Sequence, residues 1–74
     1  MKEKVLEIIN EIRTVKGLEQ LKTIHEKDNL RDDLGLTSFD LAELTVKIED
    51  VFDIDIFEDG FVSTVAEIYT KLQK

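Results

Sequence analysis

The chain has 74 residues, with 10 Lys/Arg against 17 Asp/Glu and neither cysteine nor proline. A chain this short forms one domain, here residues 1–74, and buries only roughly 60% of the surface its unfolded form exposes; no disulfide or thiolate cage can support it. The formal charge of -7 is concentrated in residues 28–74, which hold four basic and twelve acidic side chains, while residues 1–27 are close to neutral. Such a half repels phosphate backbones and anionic lipid, which argues against nucleic acid, and would attract a partner with a basic patch. No apolar run approaches the ~20 residues needed to cross a bilayer. The N-terminal MKEKVLEIINEIR is charged and lacks the apolar core of a signal peptide. The expectation is a soluble, cytoplasmic monomer with no membrane insertion.

The first element spans about Lys2 to Val15. Val5, Ile8, Ile9 and Ile12 recur at i, i+3, i+4, i+7, the spacing of an amphipathic helix, and Gly17 is its stop. Residues 18–36 are ambiguous: Leu18, Leu21 and Ile24 could form one or two helical turns, and HEKDNLRDD then reads as loop. A connection this long tends to carry function. Leu30, Leu34 and Leu36 are placed to pin it to the core. The second helix spans about Ser38 to Phe52, with Thr37 as N-cap and Asp40 at capping-box spacing. A short helical turn at Phe57–Phe61 follows. The last helix opens on a second capping box, Thr64 with Glu67, and repeats the apolar stripe at Val65, Ile68, Tyr69 and Leu72. VFDIDIF alternates, but a lone strand has no partner. The fold class is all-α: a bundle of three main helices plus one short helix, with a long loop between helices 1 and 2.

On a wheel, Leu41, Leu44, Ile48, Val51 and Phe52 of the second helix share one arc, the core stripe. Phe39 and Val46 fall nearly opposite, with Ala42 beside them and Glu43, Lys47, Asp50, Glu49 and Asp53 around them. An apolar strip rimmed by carboxylates suggests a partner surface; burial of the same residues against the long loop is equally open from the wheel alone. Ser38 stands in the first turn, where free N–H groups and the positive dipole end favour a phosphate. Nothing in the wheel marks it for modification, since a first-turn serine ordinarily caps.

The stretch DDLGLTSFDLAELTVKIEDVFDIDI resembles the acyl carrier protein signature, in which Asp-Leu-Gly leads through two residues to a serine opening the second helix. Here these are Asp33, Leu34, Gly35, Leu36, Thr37 and Ser38. The resemblance runs on through Asp40, Glu43, Leu44, Glu49, Phe52 and Ile56 to Thr64 and Val65. It implies that Ser38 receives 4′-phosphopantetheine from coenzyme A and that the arm's thiol carries acyl groups as thioesters. Phe39 and Val46 match apolar positions that partners contact, and Asp40, Glu43, Glu49 and Asp50 match acidic positions that pair with Arg and Lys on partners. Those partners would be a phosphopantetheinyl transferase and acyl-processing enzymes with basic docking patches. An acyl chain sheltered by parting the helices would be lined by Leu34, Leu36, Leu44, Ile48, Ile56 and Ile68. Fatty acid biosynthesis is the expected pathway; D-alanyl and peptidyl carriers share the fold and the serine, and an unmodified interaction domain is the other alternative. Thr37 stands where the family nearly always has Asp, Phe39 where it usually has Leu, and the segment after Ile56 lacks the common proline.

Other chemistry finds less support. Asp53, Asp55, Asp59 and Gly60 suggest a calcium loop, but positions 6 and 12 from Asp53 hold Glu58 and Thr64 instead of Gly and Glu. His25 is the only histidine and has no triad pattern around it. There is no glycine-rich phosphate loop. No intrinsic enzymatic activity and no metal are expected.

Overall fold

The computed structural model describes residues 1–58 and 60–73. It contains helices α1 (Lys2–Val15), α2 (Ser38–Phe52) and α3 (Val65–Leu72), in that order. The expected stripe of α1, Val5, Ile8, Ile9 and Ile12, is its buried face. Full burial of such side chains contributes about 1.5–3 kcal/mol each relative to exposure. After Lys16 the chain turns at Gly17, at φ +84°. There the Gly17 N–H donates to the Thr14 carbonyl at 3.0 Å and the Leu18 N–H to the Arg13 carbonyl at 2.9 Å. This is a Schellman end, which needs the left-handed conformation glycine adopts without strain.

Residues 18–25 differ from one sequence reading: Leu18, Leu21 and Ile24 form no helical turn. The side chain of Asn10 on α1 takes the backbone of Leu21 instead, donating to its carbonyl at 2.9 Å and accepting from its N–H at 2.7 Å. Those bonds replace a helical ladder and hold the loop open against α1. Leu30, Leu34 and Leu36 are buried as expected. They carry the loop across the core, where Asn29 forms an isolated antiparallel bridge with Thr64.

In α2 the capping box of Thr37 and Asp40 is formed, and Leu41, Leu44 and Ile48 are buried. Val51, placed on the core stripe by the wheel, is 50% exposed. It lies at the edge of the arc in the last turn, where Asp53 at φ +59° turns the chain away. At the expected short helical turn of Phe57–Phe61 the described residues show a single turn, the Gly60 N–H donating to the Phe57 carbonyl at 3.1 Å, and no helix. The carboxylate of Asp55 accepts from the Phe57 N–H at 2.9 Å and from the Thr45 hydroxyl at 3.3 Å, which fixes a turn. Asp59, part of that span and of the calcium-loop reading, lies outside the described residues. The rings of Phe57 and Phe61 meet edge to face at 5.4 Å. α3 buries Val65, Ile68 and Tyr69 behind its own capping box, Thr64 with Glu67. The result is an all-helical domain of three helices around one core, with no strands among the described residues.

Candidate functional site

Both α2 and α3 begin with a capping box, yet their first turns end up differently. At α3 the Val65 N–H donates to the Asp28 carbonyl at 3.1 Å and the Ala66 N–H to the Glu26 carbonyl at 3.0 Å. Its Glu67 carboxylate accepts from the N–H groups of Ser63 and Thr64 at 2.8 and 3.0 Å. These bonds hold Glu67 below the usual carboxylate range, the Ser63 N–H contributing most. The donors at this end are therefore used. At α2 the Asp40 N–H donates to the Thr37 hydroxyl at 3.1 Å, and the Thr37 N–H to the Asp40 carboxylate at 2.9 Å. The N–H groups of Ser38 and Phe39 stand in the first turn, where the helix itself supplies no acceptor. No acceptor from the described residues takes their place. Ser38 is exposed and opens onto a surface cleft of about 330 Å³, lined also by Asn29, Arg31, Leu41, Phe61, Val62 and Ser63.

The approach to Ser38 is fixed from α1. Arg13 donates from Nη1 to the Leu34 carbonyl and from Nε to the Glu19 carbonyl. Lys16 donates to the Gly35 carbonyl at 2.8 Å and also bonds the Asp40 carboxylate. Gly35 sits at φ +77°, and a Cβ there would lie 3.4 Å from Leu18 Cδ1 and 3.5 Å from Arg13 Nη1. On the other side the Asp33 carboxylate accepts from the Asn29 N–H at 2.6 Å, closing a turn over residues 29–34.

The family profile described as "Phosphopantetheine attachment site" matches residues 3–72. The chain belongs to the phosphopantetheine-binding carrier proteins. It is 44% identical over 48 residues to an acyl carrier protein of Amoebophilus asiaticus (strain 5a2), a match covering 62% of this chain and 60% of that protein. It is 36% identical over 55 residues to acyl carrier protein 3 of Ralstonia nicotianae (strain ATCC BAA-1114 / GMI1000), covering 72% of this chain and 63% of that protein. The chain thus matches less than two thirds of the length of either relative. A carrier of this family holds 4′-phosphopantetheine covalently and is not itself a catalyst. An exposed hydroxyl beside two open N–H groups at a helix N-terminus suits a phosphodiester, because those donors and the helix dipole face a negative charge.

The other sequence-derived positions fall into three groups. Phe39 and Val46 are 83% and 64% exposed, so the alternative of burial against the loop is set aside. Glu43, Glu49 and Asp50 are exposed on the same helix. Asp40, expected among the partner-facing acids, is only 7% exposed. Burial alone would raise its pKa, but the Lys16 ammonium and the Thr37 N–H and hydroxyl outweigh burial and hold it below the usual range. It serves this carrier as a cap and an internal counter-ion. Leu34, Leu36, Leu44, Ile48, Ile56 and Ile68 all lie in the closed core. None of them lines the cleft beside Ser38, whose apolar side comes from Leu41, Phe61 and Val62. Arg13, Lys16, Asn29 and Arg31 were not singled out from sequence. Basic residues at the end of an amphipathic helix gave the only advance sign of the first two. Among the described residues no helix is long and apolar enough to cross a membrane, and no cluster of three or more His, Cys, Asp or Glu could hold a metal.

Proposed function

We propose that Ser38 is the attachment residue and that the protein carries acyl groups on the 4′-phosphopantetheine arm, as an acyl carrier protein of fatty acid biosynthesis. The supporting observation is the contrast between the two capped helices: α2 alone presents an exposed serine beside uncommitted first-turn donors. The arm supplies a terminal thiol on which cargo is held as a thioester. The chain's own residues do the rest. The Ser38 hydroxyl would supply the phosphodiester oxygen, giving up its proton as the pyrophosphate bond of coenzyme A breaks and the adenosine bisphosphate half leaves, and the N–H groups of Ser38 and Phe39 would be available to the phosphate. Lys16 neutralises Asp40 two residues away, so that this carboxylate does not repel the phosphate. Thr37 supplies the cap without a second negative charge. Phe39, Val46, Glu43, Glu49 and Asp50 form the face toward a phosphopantetheinyl transferase and acyl-processing enzymes with basic patches. The protein acts as a cytoplasmic monomer.

The test is intact mass after incubation with coenzyme A and a broad-specificity transferase. The wild type gains one phosphopantetheine and Ser38→Ala gains nothing. Modification at Ser63, the other serine of the cleft, or no gain at all overturns the reading.

A further inference from the structure

Arg31 is an exposed cation in a strongly acidic segment, yet its guanidinium makes no ion pair or hydrogen bond among the described residues. The carboxylates near it do not account for it. Asp33 is turned to the Asn29 N–H. Asp28 accepts from the His25 N–H at 2.8 Å. Asp32 is its chain neighbour and forms no bond with it. Lys47, by contrast, reaches both Glu11 and Glu43.

The base of the Arg31 side chain is held firmly. The Asn29 side-chain oxygen accepts from the N–H groups of Arg31 and Asp32, both at 2.9 Å. Leu30 is buried, and its N–H donates to the Ser63 carbonyl at 2.8 Å. Arg31, on this fixed backbone, lines the same cleft as Ser38.

We propose that Arg31 pairs with the phosphodiester formed on Ser38 and so holds the base of the arm along the cleft. The proposal rests on the attachment reading above. A phosphodiester carries one negative charge and two free oxygens, which the planar guanidinium fork can meet with parallel N–H donors. Attachment at Ser38 would add this anion to the cleft that Arg31 also lines.

The test is the phosphorus NMR signal of the holo protein, recorded for wild type, Arg31→Gln and Arg31→Lys at low salt and at about 1 M salt, where screening shortens to roughly 3 Å. The wild-type signal shifts as salt loosens the pair. Arg31→Gln holo protein shows no such salt-dependent shift, and Arg31→Lys keeps part of it. A shift in Arg31→Gln equal to wild type, a lysine variant indistinguishable from glutamine, or a wild-type signal insensitive to salt overturns the assignment of Arg31. Mass spectrometry of the same samples, with Ser38→Ala treated alongside them, separates the two readings. If Ser38→Ala still gains phosphopantetheine, the attachment reading fails; if attachment is intact and the shift does not depend on Arg31, only the pairing fails.

Discussion

Lys16, just past the end of α1, bonds the Asp40 carboxylate at the start of α2. Asp40 at the same time accepts from the Thr37 N–H and closes the capping box. One buried carboxylate therefore ties the end of the first helix to the beginning of the second, two residues from Ser38. Removing it deletes a charge-assisted bond and half of a cap, together about 2–3 kcal/mol.

Stability should follow the titration of Asp40. Its folded pKa is lowered from the ordinary 3.8. The stabilisation is therefore complete above the unfolded value and is lost as pH falls through the lower, folded value. Asp40→Asn should melt roughly 8–24 °C below wild type at pH 7, given about 4–8 °C per kcal/mol for a domain of this size. The gap should narrow steadily below about pH 4. Melting curves from pH 7 to pH 2.5 check this, and a gap that stays constant over that range removes the ion pair as its source.

Gly35 provides a second test. At φ +77° any L side chain is strained, and the space for a Cβ is bounded by Leu18 and Arg13. Gly35→Ala should cost about 1–2 kcal/mol. It should also slow phosphopantetheine transfer, because the residues leading to Ser38 hang on the carbonyls that Arg13 and Lys16 hold. Gly17→Ala, with open space around the Cβ, should cost about 1 kcal/mol and leave transfer unchanged. Denaturant midpoints and transfer rates for both variants decide; equal loss of transfer in the two would mean that Gly35 has no particular connection to the site.

The helices were legible because their signals are local. The stripe of α1, both capping boxes and the Gly17 stop lie within a few residues of one another in sequence. The opposed apolar strip of Phe39 and Val46 followed from the same periodicity. What sequence missed depends on distant partners. Asn10 reaches Leu21, Arg13 reaches Leu34, and Lys16 reaches Asp40 twenty-four residues away. The resemblance places Asp40 among the partner-facing acids, and nothing local shows that this side chain instead turns inward to meet Lys16. The Asp55 carboxylate, which accepts from the Phe57 N–H, was likewise not legible as the residue that fixes the turn there.

Cargo should register in stability. Leu44, Ile48, Ile56 and Ile68 are fully buried in a closed core. Leu41 and Val62 line the cleft beside Ser38, so a medium-length acyl chain entering the core from there should pass them and part the helices. A chain that binds only the native state stabilises it. The acyl form should therefore melt several degrees above the holo form, with roughly 4–8 °C expected per kcal/mol. Leu41→Ala and Val62→Ala should reduce that increment. Superimposable curves for holo and acyl forms would place the chain outside the core.

Docking should be electrostatic in rate and apolar in specificity. Glu43 and Asp50 are exposed on α2, and neither belongs to the core or to a cap. Charge reversal at both, Glu43→Lys with Asp50→Lys, should slow transfer from a basic partner enzyme mainly through association, about tenfold or more at low salt. The difference from wild type should shrink as salt rises and screening shortens. Val46→Asp should impair transfer by another route. Val46 is 64% exposed, so the change should leave the fold intact, but it places a charge in the strip that a partner would cover, and salt should not restore the rate. Phe39→Ala belongs with Val46→Asp in this respect. Circular dichroism must show all of these variants folded for the comparison to hold, and their exposure in the structure leads to that expectation. An unfolded charge-reversed variant would mean that the two faces of α2 are assigned wrongly. A folded one that transfers at the wild-type rate in low salt would reduce the acidic face to a solvated surface, leaving the exposed Phe39 and Val46 as the part of α2 that a partner reads.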